Sequence, residues 1–389
     1  MVASCADIIS SLPSHNISVS KTKKPFMSIF PITYNEIPGW KSDNLSETLP
    51  ALKLSCSKIK KLPENKSLGK FIEMGKVSDW LPICKDAHLI RSGNKTEAQY
   101  FFESRFLPYT VANNQNRVGL FTGYYEAELN GAFGSNARYR YPILAKPKDI
   151  INANLIEFDH KLDGHRITGR IKGNKLVPYY TRAEIDDGAL SGRQLETMWV
   201  DNAIDAFVLH IQGSGRIILP DGSYVRVGFD GRNGHQYTSV GRELVSAGKM
   251  RLEDVTMPSI RKWMEKNPVA ARALMRKNKS FIFFKVSKEA GPIGAQGVIL
   301  TPTRSIAIDR EFFPMGLPVW LDTTVPGSRK KLQRLMITQD TGAAIKGPVR
   351  GDVFWGHGPQ AAIHAGLMKE KGKLYLLLPK SAAKSQLKK

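Results

Sequence analysis

The sequence predicts a mainly β protein with its helices gathered toward the N-terminus, and three observations carry that expectation. Apolar residues recur at helical spacing from Leu45 to Ile59 and again from Glu97 to Phe106, whereas from Val118 they come in short runs broken by glycine and proline. The C-terminal stretch from Phe281 to Leu378 combines short strands with dense turns, the pattern of a small closed barrel. The 389 residues allow two or three domains at about 150 residues each, and 42% hydrophobic residues can fill real cores.

Taken in order, residues 1–32 are rich in Ser, Lys and Pro without a sustained period and read as a flexible leader. Leu45, Leu49, Leu52, Cys56 and Ile59 then mark one helix, with Pro50 as its blemish, and Tyr100, Phe101 and Phe102 give the next an aromatic face. Ala206 to Ile211 reads as a strand. Ile217–Leu219, the turn Pro220-Asp221-Gly222 and Tyr224–Val227 read as a hairpin. Helices return from Ser239 to Lys249 and from Met257 to Lys277, the second broken at Asn267-Pro268. From Phe281 the texture is β again, ending in a loose tail with four lysines from Pro379 to Lys389. Periodicity does not tell whether the strand near residues 118–128 joins the C-terminal barrel.

The formal charge of +22 favours an anionic partner: nucleic acid, a lipid surface or an acidic wall polymer. Dispersed lysines without an aromatic strand pattern argue against nucleic acid. No apolar run reaches the length of a membrane-spanning helix. The three cysteines, Cys5, Cys56 and Cys84, form neither a disulfide framework nor a zinc pattern. Val2-Ala3-Ser4-Cys5 resembles the end of a bacterial lipoprotein signal, with Cys5 the lipid-anchored residue; four residues precede it, so either the start lies further upstream or the match is chance. Cys56 and Cys84 remain either a pair suited to an oxidising periplasm or two buried thiols.

The eight histidines show no ligand spacing, so no metal is expected, and nucleotide loops and nucleophile elbows are absent. What remains is carboxylates: Asp309, Asp340 and Asp352. A glycine-rich loop separates the last two, so a hairpin would bring them close. In extended backbone Asp352 and Phe354 share one face, and an aromatic wall raises the pKa of a carboxyl toward what a general acid needs. The competing reading has these aspartates capping turns or pairing with Arg310, Lys346 and Arg350. Asp340-Thr341-Gly342 also matches the aspartic-protease tripeptide; one copy per chain would demand a homodimer, and Gln339 stands where an apolar residue is usual.

Seven blocks in fixed order then resemble the MltA family of lytic murein transglycosylases. They are Ile37–Trp40, Ser55-Cys56, Phe121–Glu126, Tyr179–Arg182, Phe207–Gly215, Asp340–Gly347 and Gly351–Gly356, with Ala343 where the family usually has glycine. The resemblance implies a double-psi β-barrel domain, an inserted second β-rich domain, and a groove between them for a glycan strand. On that alignment 1–32 is leader, 33–128 the N-terminal helical part and first barrel segment, 129–286 the insert, 287–378 the rest of the barrel and 379–389 the basic tail. The implied reaction cuts the β-1,4 bond between N-acetylmuramic acid and N-acetylglucosamine and leaves a 1,6-anhydro end, without cofactor. Asp352 matches the family's catalytic aspartate. Asp340 would orient it or stabilise positive charge, and Asp309 would maintain the barrel. Thr122, Gly123, Tyr124 and Tyr125 would line the groove, and Gln212, Gly213 and Ser214 would meet acetamido groups. The expectation is a monomer in the bacterial envelope, periplasmic or anchored to the outer membrane, with an inactive wall-binding protein as the alternative.

Overall fold

Packing starts at the aromatic residues just ahead of the first helix. In the computed structural model, which describes residues 24–91, 93–162 and 165–384, the Trp40 ring lies 4.8 Å from Tyr34 and 5.2 Å from Trp320. Its Nε1 donates to Glu103 Oε1 at 2.8 Å. Helix α1 (Leu49–Ile59) buries Leu49, Leu52, Cys56 and Ile59, the stripe read from the sequence, and Pro50 is harmless in the first turn because no intrahelical N–H is needed there. Helix α2 (Val77–Leu89) is an addition to the sequence reading; Pro82 inside it hides the period that Val77, Trp80, Cys84 and Ala87 nonetheless keep. A disulfide between Cys56 and Cys84 ties α1 to α2, their Cα atoms 5.4 Å apart, which decides between the pair and the two thiols. Helix α3 (Lys95–Arg105) follows, its N-cap Asn94 accepting from the Glu97 amide.

The chain divides into two compact units. The first holds the described residues up to Tyr125 together with those from Ala290 on. Its strands are β1 (Met27–Pro31), β2 (Phe106–Asn113), β3 (Gly119–Ala132, of which the residues up to Tyr125 belong here), β4 (Ser305–Ala307), β5 (Pro318–Thr324), β6 (Lys331–Asp340), β7 (Arg350–His357) and β8 (Lys369–Pro379). Hydrogen-bonded neighbours run β8–β5–β6–β4–β7–β3, and β3 pairs back onto β8 through Thr122↔Lys369 to Gly119↔Gly372, so six strands close a ring. The early strand does join the C-terminal ones. β1 and β2 extend the sheet outward from β8.

Three expectations change here. The leader gives way at Met27, because β1 is made by its ladder with β2 rather than by any hydrophobic period. The tail starts later, since Pro379 ends β8 and Lys380–Lys384 form a short helix. The C-terminal part is not purely β: a helix, Gly358–Leu367, sits between β7 and β8.

The second unit, Glu126–Glu289, is also sheet-rich. The second half of β3 runs parallel to Ser214–Ile218, which pairs with Tyr224–Arg232, which pairs with Ile282–Ser287. Glu196–Val200 pairs with the end of β3 and, in turn, with Tyr141–Leu144, and Ile151–Asn154, Arg166–Lys172 and Lys175–Pro178 form a separate three-stranded sheet. The hairpin around Asp221-Gly222 and the helix break at Asn267-Pro268 are as expected. Ala206–Ile211 is not a strand but part of the helix Ala203–Gln212. A short apolar run is ambiguous between the two, and the ends decide it: Asn202 caps the Ile204 and Asp205 amides, and Gly213 closes the helix at φ 78°. Within this unit Glu126 is buried and receives Nε–H bonds from Arg226 and, at 2.9 Å, from Arg216. Those two arginines stand directly opposite each other across the ladder, so Glu126 screens a repulsion that would otherwise split it.

Candidate active site

Asp340 and Asp352 are brought together by an intervening strand, not by a hairpin of their own. β4 lies between β6 and β7: Ala307 is the partner of Asp340 on one side and of Asp352 on the other. Two interstrand steps separate the aspartates by about 10 Å between Cα atoms, near enough for both side chains to meet one substrate. The alternation along β7 is as expected. Val353 enters the main core, while Phe354 packs with Tyr124, Leu300 and Ala307 in a small cluster beside the carboxylates, its ring 5.3 Å from that of Tyr124.

The three aspartates are bonded differently. Asp352 is fully buried, and its Oδ1 accepts the Thr122 hydroxyl at 2.6 Å. Asp340 accepts the Ala295 and Thr341 amides on Oδ1, both at 2.9 Å, and the Tyr124 hydroxyl on Oδ2 at 3.0 Å. Burial raises the Asp340 pKa above the ordinary carboxyl value, against the opposite pull of those donors. Burial, and then the charges of Asp340 and Asp352, push Tyr124 well above the normal phenol range, so it stays a protonated donor. Asp309 takes the Glu311 amide on Oδ1 and the Gly347 amide on Oδ2, at 3.1 and 2.8 Å, and thereby joins two loops.

β3 supplies the hydroxyls. Thr122 and Tyr124 are buried and turned onto the two carboxylates, and Tyr125 is partly buried. Gly123 lies against Trp355 so closely that a Cβ there would stand 2.6 Å from the indole Nε1 and 2.8 Å from the Ala365 Cα, which explains a glycine between two bulky neighbours. Trp355 in turn packs against the His364 ring, tilted by 32° with centroids 4.6 Å apart. Gln212, Gly213 and Ser214 belong to the second unit: Gln212 is buried at a helix end, Gly213 is the left-handed cap and Ser214 begins a strand. The amides of Ala295 and Thr341 escaped the sequence reading because backbone donors leave no residue signature. Cys5 lies outside the described residues.

The family model described as the MltA specific insert domain matches residues 120–285, and that of the 3D domain matches residues 304–378. The chain is 31% identical over 295 residues to the membrane-bound lytic murein transglycosylase A of Escherichia coli K12, spanning 74% of this chain and 73% of that protein. With the protein of the same name from Vibrio cholerae serotype O1 it shares 33% identity over 267 residues, 66% of this chain and 65% of that one. Among solved structures, MltA from Neisseria gonorrhoeae superposes with a TM-score of 0.74 at 31% identity, covering 91% of both chains. The membrane-bound lytic murein transglycosylase of Agrobacterium tumefaciens gives 0.82 at 28% identity, covering 92% of this chain and 99% of that one. E. coli MltA with bound chitohexaose gives 0.62 at 25% identity, covering 85% and 90%. With the insert and the 3D segment both matched, and a curated relative above 30% identity over most of its length, this chain belongs to the MltA family of membrane-bound lytic murein transglycosylases.

Proposed function

We propose that the chain cleaves the β-1,4 bond between N-acetylmuramic acid and N-acetylglucosamine in peptidoglycan and leaves a 1,6-anhydro end, with Asp352 as the sole proton carrier. The relatives' murein activity and the oligosaccharide held by one of them support the substrate class. The observation that carries the residue assignment is where Asp352 sits. It is fully buried on β7, accepts the Thr122 hydroxyl at 2.6 Å, has Asp340 across Ala307, and lies beside the cluster of Tyr124 and Phe354.

In this reading the Asp352 carboxyl protonates the leaving O4 as the C1–O4 bond breaks and the ring becomes oxocarbenium-like. The sugar's C6 hydroxyl then attacks C1, and its proton returns to the Asp352 carboxylate, so neither water nor a covalent nucleophile takes part. Asp340, across Ala307, adds negative charge that stabilises the cationic ring and holds Tyr124 in place; Asp309 keeps the adjoining loops together. Asp352 has no exposed surface, so the arriving glycan has to uncover it. In the first unit Tyr125, partly buried, is the proposed sugar contact, beside Thr122, Gly123 and Tyr124; in the second unit Ser214, also partly buried, is proposed to meet an acetamido group, beside Gln212 and Gly213. The site of action is the bacterial cell envelope. Among the described residues no helix is long and apolar enough to cross a membrane. In this reading a lipid on Cys5 would tie the chain to the outer membrane.

The test is digestion of purified murein by the wild type and by Asp352→Asn, with the products weighed by mass spectrometry. Anhydro ends from the wild type and none from the variant are expected. Reducing ends from the wild type would mean a muramidase, and unchanged product from the variant would remove Asp352 from the chemistry.

A further inference from the structure

One buried polar side chain beside the site has no part in the chemistry above. Gln339, directly before Asp340, is fully buried in β6. Along the β4–β6 ladder, Ser305, Ile306 and Ala307 face Ile337, Thr338 and Asp340, so Gln339 is the extra residue of a β-bulge. A bulge re-aims the side chain next to it, and Asp340 is that side chain.

Gln339 is bonded on every side. Its Nε2 donates to the Ala51 carbonyl at 2.8 Å and to Ser55 Oγ at 2.9 Å, both on α1, and its Oε1 accepts the Ser305 hydroxyl at 2.5 Å from β4. Its carbonyl accepts the Gln296 amide at 3.1 Å. Ser55 Oγ donates onward to Gln296 Oε1 at 2.7 Å. Ala295, the neighbour of Gln296, is the residue whose amide binds Asp340 Oδ1. The network thus leaves Asp340 through its own backbone and returns to its carboxylate.

We propose that Gln339 is a positioning residue: with Ser55 and Gln296 it pins the bulge and the 294–296 turn, and so fixes the aim of Asp340 toward the space it shares with Asp352. This rests on the assignment of those two aspartates to the active site. The network acts from behind the strand and touches no substrate, so its loss belongs in turnover rather than in binding.

The test compares wild type, Gln339→Met, Ser55→Ala and Asp352→Asn on soluble glycan chains prepared from murein, with thermal unfolding measured alongside. Gln339→Met is expected to lower kcat about 10- to 100-fold, as misplacement of a catalytic group by a fraction of an ångström does. Its KM stays within about twofold, while its Tm falls because the Ser305 hydroxyl and the Ala51 carbonyl lose their partner. Ser55→Ala, which removes one acceptor and the link to Gln296, lowers kcat in the same sense by about 2- to 10-fold. The proposal is overturned if Gln339→Met keeps kcat within about twofold, or if its loss lies in KM. Should Gln339→Met not fold, Ser55→Ala decides: an unchanged kcat overturns the proposal. Activity surviving in Asp352→Asn overturns the site assignment and this inference with it, whereas its loss together with an undiminished Gln339→Met overturns this inference alone.

Discussion

Changing Thr122 to valine deletes one hydroxyl from a fully buried position and leaves the branched shape in place. That hydroxyl donates to Asp352 Oδ1 at 2.6 Å, and both residues lie without exposed surface. A hydrogen bond to a carboxylate strengthens as the group ionises, so its full value is felt when Asp352 has passed its proton to the leaving oxygen. Such a bond contributes about 1.5–3 kcal/mol. At 1.36 kcal/mol per factor of ten, kcat should fall about 10- to 150-fold. Substrate binding precedes that ionisation, so KM should move by no more than about twofold. The assay is the initial rate of anhydro-product release from soluble glycan chains, with near-ultraviolet circular dichroism to show that the fold is kept. A kcat within about threefold of wild type would mean that Thr122 does not act on the reacting carboxyl, and a loss confined to KM would make it a substrate contact instead.

Further outcomes follow from the same coordinates. Burial raises the Asp340 pKa in the folded chain above the value of about 3.9 expected when unfolded, so the native state holds that proton more tightly. Its contribution to stability is therefore greatest in acid and declines as pH rises from the unfolded value through the folded one. Urea unfolding of wild type and Asp340→Asn between pH 3 and 7 should show the wild type losing ground to the variant as pH climbs, and the opposite slope would contradict the assignment. Glu126→Gln leaves Arg226 and Arg216 facing each other in a buried ladder and should cost the second unit about 3–5 kcal/mol. Faster hydrogen exchange in Ser214–Ile218 and Tyr224–Arg232 would report it, and unchanged protection would show that the carboxylate carries little. Replacing Cys56 and Cys84 by alanine opens a link between residues 28 apart and should cost about 3–4 kcal/mol of unfolding free energy, measured by denaturant titration; a loss below 1 kcal/mol would assign α1 and α2 to other contacts.

Much of this chain was legible because its signals are local. The spacing of Leu49, Leu52, Cys56 and Ile59 announces α1, and Asp221-Gly222 announces its hairpin. The pairing of Asp352 with Phe354 on one face needs only the two-residue period of a strand. What was not legible depends on partners far along the chain. No pattern in Ser305–Ala307 says that it slips between β6 and β7, so the aspartates looked like the two arms of a hairpin. Ala206–Ile211 was misread because an apolar run of that length fits either period, and its caps lie outside it. Gln339 was noticed only as a departure from the aspartic-protease pattern; its reason, a bulge held by α1, exists only in three dimensions.

The interruption of the first unit by Glu126–Glu289 bears on how the protein is made. Thr122 and Asp352 are 230 positions apart, and the ring that holds them is sealed by β8, which follows Asp352 in the chain. A ribosome delivers the insert in one continuous stretch, whereas the ring has to wait for its last strand. A chain that has not yet delivered β8 therefore lacks the closed ring that sets Thr122 against Asp352, and whatever chemistry that pair carries waits on that strand.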